Sequence, residues 1–327
     1  MKTLKAILLL FLFTAGSAMA QDPLFTQYYA NPIYTNPASA GAAKGGRAGL
    51  NYRVQWPELP GTFVTVSAAY DQYFKKLKSG FGFMYTNDRA GSGFLKTSTL
   101  NLIYSYEQKL GSKMAIRGGL QASYIGKSID FDKLTFSDMI EPRSGFRFPS
   151  SEPLPNPVKT FLNFGAGVLL YSDLFYVGFA THNLTEPNQS FYNSQAPGNE
   201  LPGRYTLHAG MAIPLDNMSG LPMSERITIN PNVLFMQQSV FKVANFNVHL
   251  NYNFATIGTG YRFSAEEGQT VIAMIGFRAK KKLTMAYSYD RTFFDTQSVS
   301  SHEISLALRW RSKASDPDGD RIICPSF

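Results

Sequence analysis

The sequence predicts an all-β protein: a transmembrane antiparallel β-barrel of about 14 strands with a plug-like segment at its N-terminus. Three observations predict it. First, apolar and polar residues alternate without a fault through Asn245 to Phe254, where Phe246, Val248, Leu250, Tyr252 and Phe254 oppose Asn245, Asn247, His249, Asn251 and Asn253. Successive strand side chains point to opposite faces, so this stretch has one apolar and one polar side, with Leu250 expected at mid-membrane depth. Second, charged residues make up 17% of the chain and aromatic residues 14%, against about 25% charged in a soluble domain. Third, after the first 20 residues there is no run of about 18 apolar residues, so no membrane-spanning helix is expected.

Residues 1–20 read as a secretory leader. Lys2 and Lys5 give the positive start, Ile7 to Phe13 the apolar centre, and Ala18-Met19-Ala20 the small-residue cleavage site before Gln21. The chain is therefore expected to be exported. Residues 21–44 do not read as a strand, because Pro32 and Pro37 would remove ladder donors. A flexible leader to the barrel is one reading of this segment. A plug folded into the lumen is favoured, because the aromatics between Phe25 and Tyr34 are costly to leave in water.

Strands are expected over 45–54, 61–74, 79–87, 95–109, 112–126, 159–172, 174–183, 203–214, 225–236, 241–253, 255–264, 269–279, 281–290 and 302–311, so the barrel covers 45–311. In the fourth, Leu100, Leu102, Tyr104 and Tyr106 oppose Asn101, Ser105 and Glu107. In the fifth, Ile116, Leu120, Ala122 and Tyr124 oppose Arg117, Gln121 and Ser123. A dry sandwich core would not tolerate the polar faces, whereas a hydrated or hydrogen-bonded lumen would. Inward Glu107 and Asp290 are expected to pair with Arg117 or Arg309, and His249 to face the lumen. Connections from even to odd strands are short apart from Leu215 to Ser224. The two longest, Lys127 to Val158 and Leu184 to Pro202, fall between odd and even strands. Such barrels have short periplasmic turns and longer outer loops, and binding functions concentrate on loops.

Residues 312–327 form a polar tail on the periplasmic side. Asp316-Pro317-Asp318-Gly319-Asp320 has the look of a calcium loop but lacks the downstream bidentate Glu, so a solvated turn is favoured. Ile322, Ile323 and Phe327 could form a docking peptide for a periplasmic partner. The formal charge of +8, or +6 without Lys2 and Lys5, is scattered through turns and strands and makes no basic block, which disfavours nucleic-acid binding. A single cysteine, Cys324, excludes an internal disulfide and a cysteine-cluster metal site.

No catalytic pattern is found, and neither a cofactor nor a metal is expected. Gly126-Lys127-Ser128 ends like a phosphate loop, but Gln121 stands where the earlier glycine belongs. His182, His208, His249 and His302 are scattered, and neither a His-Glu-x-x-His run nor a Gly-x-Ser-x-Gly elbow occurs. A non-enzymatic protein is expected.

The stretch from Asp22 to Gly41 closely resembles the start of the PorP/SprF family, outer-membrane proteins associated with the type IX secretion system and gliding motility. The specific positions are Phe25-Thr26-Gln27-Tyr28, Asn31-Pro32, Asn36-Pro37-Ala38 and Gly41, and the likeness extends by general pattern to the Cys-Pro-Ser-Phe ending. The Asn-Pro-Ala box is also similar to one in the N-terminal hatch of the long-chain fatty-acid transporter family, a 14-stranded barrel. The PorP/SprF resemblance implies a location in the outer membrane and a role in receiving or anchoring the C-terminal domain of a secreted, adhesin-like surface protein. It also implies contact with the secretion machinery, its periplasmic ring or its peptidoglycan-binding components. The alternative is a porin or hydrophobic-solute transporter of the fatty-acid-transporter type.

Overall fold

The computed structural model describes residues 22–311 except 92–93, 135, 137–138, 142–144, 147–154, 193–197, 216–226, 280–281 and 295–296. The expected leader and the tail, with Ile322, Ile323 and Phe327, lie outside the described residues. Among the described residues, fourteen long strands follow one another: β1 (Gly45–Gln55), β2 (Phe63–Phe74), β3 (Ser79–Ala90), β4 (Leu95–Leu110), β5 (Met114–Ile129), β6 (Val158–Ser172), β7 (Phe175–His182), β8 (Arg204–Met211), β9 (Ile227–Gln238), β10 (Phe241–Tyr252), β11 (Ala255–Ser264), β12 (Gly268–Ala279), β13 (Leu283–Phe293) and β14 (Ser298–Arg311).

Each strand pairs antiparallel with the next, and β14 returns to β1 with a register running from Gly45↔Arg311 to Gln55↔Ser301. The sheet therefore closes into a barrel. Closure leaves no sheet edge, which is the condition for strands to cross a bilayer, where an unpaired backbone group finds no water. No helix among the described residues is long and apolar enough to cross a membrane.

The period-2 pattern sorts the side chains as expected. Leu102 is 60% exposed while its neighbour Asn101 is 2% exposed, and the same division separates Leu120 from Gln121 and Phe246 from Asn247. The outside of the barrel is thus an apolar band and the polar faces turn inward. Strand ends differ from expectation at the long-loop side. β14 begins at Ser298 rather than at 302, β3 runs on to Ala90 and β5 to Ile129. Apolar alternation marks only the lipid-facing part of a strand, while the backbone ladder continues beyond it. The expected strand over 203–214 is interrupted at Ala212, leaving Ile213–Pro214 as a two-residue ladder on β9. Leu250 stands two residues from the end of β10, so Phe246, not Leu250, occupies mid-strand depth.

The lumen is less uniformly polar than expected. Leu234, Met236, Phe241 and Val243 form one inward apolar cluster, Met84 and Ile103 belong to a second, and Ala115, Leu169, Tyr171 and Tyr176 to a third. Each cluster receives residues of the N-terminal segment, which is why inward positions there are apolar.

Candidate functional site: a segment bound inside the barrel

Residues 22–44 hydrogen-bond to strands on opposite sides of a closed ring, from Asp290 on β13 and Glu303 on β14 to Val168 on β6 and Phe179 on β7. A segment can reach both sides only from within. Its local form follows from its prolines. Pro32 opens a one-turn helix, α1 (Pro32–Thr35), and Pro37 opens a 3₁₀ turn (Pro37–Ser39). Proline suits a first helical position because its missing N–H would lack an intrahelical partner there anyway. Asn36 caps the second turn, its side-chain oxygen accepting from the Ala38 N–H at 2.9 Å.

Phe25-Thr26-Gln27-Tyr28 makes the first attachment. The Thr26 and Gln27 amides donate to the Glu303 carboxylate at 2.7 and 3.2 Å. The Thr26 hydroxyl donates to Asp290 and accepts from Arg53 and Arg262. The two arginines and two carboxylates are mutually paired, Arg53 lying 3.1 Å from Asp290 and 3.3 Å from Glu303, and Arg262 3.4 Å from Asp290. Buried charges are tolerated only when paired and hydrogen-bonded, and Thr26 supplies part of that pairing. Gln27 donates to Ser288 and to the Glu303 carbonyl and accepts from Ser305 at 2.6 Å. Phe25 packs edge-on against Tyr34, with ring centroids 5.0 Å apart, and Tyr28 enters the cluster with Leu234, Met236, Phe241 and Val243.

Asn31 makes the second attachment, donating to Ser67 at 3.0 Å beside Ile33, which packs on Met84 and Ile103. Burial pushes the Tyr34 hydroxyl up to about 12, so it stays protonated and donates to the Pro23 carbonyl at 2.5 Å. Arg204 of β8 reaches the Tyr34 hydroxyl at 3.3 Å and Asp22 at 3.2 Å.

Asn36-Pro37-Ala38 makes the third and closest attachment. The Asn36 amide donates to the carbonyls of Val168 at 3.0 Å and Phe179 at 3.3 Å, and lies 3.1 Å from the His208 Nε2. The wall here is thinned by glycine: a Cβ on Gly167 would meet the Asn36 side-chain oxygen at 2.1 Å. Beyond it, the Ala38 and Ala40 carbonyls accept from Arg117, and Ser105 donates to Ala40 at 2.7 Å. The Gly41 N–H donates to Asp71 at 2.8 Å, with φ of +71°, and a Cβ there would meet the Gly80 Cα at 2.9 Å, so only glycine fits. Glu107 takes Arg117 at 2.7 Å, Tyr171 at 2.6 Å and Lys44, and Asp71 takes Arg47 at 2.7 Å.

The structure therefore brings Phe25, Thr26, Gln27, Tyr28, Asn31, Pro32, Asn36, Pro37, Ala38 and Gly41 together inside the barrel. The expected Glu107–Arg117 pair forms, but Asp290 pairs with Arg53 and Arg262 rather than Arg309. Register along one hairpin can be read from sequence. A partner across the lumen depends on how the ring closes and carries no local signal. The glycine seats and the Asp22–Arg204–Tyr34 cluster were hidden for the same reason. Between the segment, the inner faces of β3 to β5 and the β7–β8 connection lies a cavity of about 80 Å³, lined in part by Tyr34, Asn101, Gln121, Lys127, His182 and Arg204. Among the described residues, no three of His, Cys, Asp and Glu converge as a metal site.

A family model described as "Type IX secretion system membrane protein PorP/SprF" matches residues 17–308. Comparison with curated proteins finds no match. Among solved structures, the chain is similar to the CymD monoaromatic hydrocarbon channel, with TM-score 0.51 and 10% identity over 86% of this chain and 93% of that one. It is similar also to the Ralstonia pickettii toluene transporter TbuX, with TM-score 0.50, 10% identity and the same coverage. At such identity the likeness is one of fold.

Proposed function

Since the chain belongs to the PorP/SprF family of type IX secretion system membrane proteins, we propose that it is a non-enzymatic outer-membrane component that receives or anchors a secreted surface protein. Family and barrel together point to the outer membrane. In this reading a leader (1–20) is removed after export, residues 21–44 plug the lumen, the barrel (45–311) holds the membrane, and the tail (312–327) lies in the periplasm. The C-terminal domain of an adhesin-like client sits on the outer loops. Ile322, Ile323 and Phe327 of the tail meet the secretion machinery, its periplasmic ring or its peptidoglycan-binding components, and gliding motility is the process served.

One observation carries this reading: residues 22–44 are held around the lumen by hydrogen bonds to β2, β6, β7 and β14 and by the ion pairs Asp22–Arg204 and Lys44–Glu107. An anchor needs a sealed barrel with a docking surface outside. A hydrophobic-solute transporter, the alternative, needs a hatch that moves or a lateral opening. Releasing this segment would leave the Arg53, Asp290 and Glu303 charges short of partners, which opposes such movement.

The test is a tagged pulldown from detergent-solubilised outer membranes with single-channel recording on the same preparation. The anchor predicts recovery of one large surface protein and a quiet bilayer. Shortening 135–157 should spare assembly while reducing that recovery. Loss of the surface protein together with steady conductance would instead select the transporter.

A further inference from the structure

We propose that Arg89 and Lys96 hold the phosphate of an outer-leaflet lipid against the outside of the barrel. The two stand directly opposite each other in the β3–β4 ladder, so their side chains leave the same face of the sheet. That face is the outward one. Arg89 keeps the parity of Phe81, Phe83 and Tyr85, and Lys96 that of Leu100 and Leu102, all of them exposed. Like charges directly opposite each other weaken a ladder. A phosphate between them replaces that repulsion with charge-assisted contacts, and the planar guanidinium of Arg89 suits two of its oxygens.

Among the described residues, no carboxylate fills this role. Asp88, next to Arg89, accepts from the Thr65 hydroxyl at 2.6 Å on the inner side, and Asp130, past the end of β5, pairs with Lys133 at 3.4 Å. The connection 91–94 carries no charged residue. Two other cations on the outward face at the long-loop end differ in this respect. Arg291 has the Glu58 carboxylate within electrostatic reach, and Lys242 has Glu266, whose carboxylate accepts from the Lys242 amide at 3.4 Å.

Depth points to a headgroup. Lys96 stands ten residues along β4 from Tyr106, an exposed tyrosine close to the β4–β5 turn. Ten residues rising about 3.4 Å each in a strand tilted about 40° span roughly 26 Å, and the apolar band of such a barrel is about 25 Å tall. With Tyr106 at the inner interface, the cation pair comes out at the outer one. The rows between fit that placement. Asn87 and Ser98, one row inward, hydrogen-bond at 2.9 Å, the Tyr85 hydroxyl donates to Ser98 at 3.4 Å, and Tyr85 and Leu100 begin the apolar face. A lipid is favoured over a dissolved anion, because acyl chains lying on that apolar face hold its phosphate at the right height. The inference rests on the outer-membrane reading and is independent of whether the outer loops hold a client.

The experiment uses the full chain in detergent micelles, with native mass spectrometry and thermal melting on one preparation. The probes are diphosphoryl lipid A, the same lipid without its phosphates, and inorganic phosphate. The expected result is a retained diphosphoryl adduct and a raised melting temperature, with neither from the other two probes. Arg89→Gln with Lys96→Gln should weaken the adduct roughly tenfold or more. Without lipid it should melt no lower than wild type, because the like-charge contact is gone. The charge-matched pair Arg291→Gln and Lys242→Gln should bind as wild type does. Heat-dependent gel mobility reads barrel assembly for every variant. The proposal is overturned if the phosphate-free lipid binds equally well, or if inorganic phosphate gives the same rise. It is equally overturned if the Arg89 and Lys96 variant binds as wild type does or melts lower without lipid, or if the control pair loses as much. Membrane fractionation reads location separately: a chain found in the outer membrane that binds no lipid phosphate defeats this proposal alone.

Discussion

Gly119 and Ala38 meet through their backbones: a Cβ on Gly119 would lie 2.2 Å from the Ala38 amide nitrogen and 2.4 Å from the Pro37 carbonyl carbon. No flexible side-chain end can yield at that contact. The adjacent Gly118 faces outward, where a Cβ would meet nothing within 4 Å. Gly119→Ala should therefore destabilise the seated segment by about 1–3 kcal/mol, the usual range for overpacking. Gly118→Ala, on the same strand and with the same backbone propensity, should be close to neutral. Urea midpoints of the folded barrel, with limited proteolysis of residues 22–44, check both. Equal effects at the two positions would mean that the segment does not press on β5.

Asn36 uses both ends of its amide. Its nitrogen faces the Val168 and Phe179 carbonyls and the His208 ring, and its oxygen accepts from Ala38. Asn36→Ala loses the whole set, a cost of about 1–3 kcal/mol for groups left unsatisfied. Asn36→Asp keeps the shape but turns a carboxylate oxygen toward two carbonyl oxygens, so it should be the worse of the two near neutral pH. Its defect should ease as pH falls, because protonating the new carboxyl restores a donor. Proteolysis rates of the N-terminal segment measured at pH 5 and pH 8 give the readout; a Asn36→Asp variant that is indifferent to pH contradicts the assigned amide orientation.

The parts of the fold legible in sequence were those written along one strand or one turn. The strict alternation of Phe246, Val248 and their asparagine neighbours fixed which face meets lipid, and the lengths of the connections separated the two ends of the barrel. The residues of the segment that stand together were named by the family resemblance, and the prolines and aromatics between Phe25 and Tyr34 pointed only to a non-strand segment folded into the lumen. What could not be read was any relation that closure creates. Arg53 and Asp290 are far apart in sequence, and nothing local joins them. Gly167 carries no local sign of the Asn36 side chain seated against it.

Depth along β10 gives a third prediction. Phe246 lies at mid-strand, 54% exposed, whereas Leu250 is near the end at Tyr252. An arginine on the lipid face costs about 2–4 kcal/mol at the bilayer midplane and about 0–1 kcal/mol near the interface. Phe246→Arg should thus cut folded yield sharply, and Leu250→Arg should do so only slightly, since its longer side chain can reach the headgroups. Fractions of heat-modifiable barrel after refolding into liposomes provide the comparison. The reverse ranking would shift the membrane band along the strands.

The Arg53 group is where the segment and the barrel are most strongly coupled. Arg53 serves Asp290 at 3.1 Å, Glu303 at 3.3 Å and the Thr26 hydroxyl, all buried. Arg53→Met preserves much of the side-chain volume but leaves two carboxylates with Arg262 as their remaining cation in the group. Breaking a buried pair from one side typically costs about 3–5 kcal/mol. Thr26→Val removes the hydroxyl that both arginines contact and should cost about 1–3 kcal/mol. Because the three groups share one network, the double variant should fall short of the sum of the singles. Urea unfolding of the wild type, both singles and the double measures this coupling directly. Strict additivity would show that Thr26 and Arg53 act separately, and the segment would then be held mainly by its apolar clusters and by Asn36.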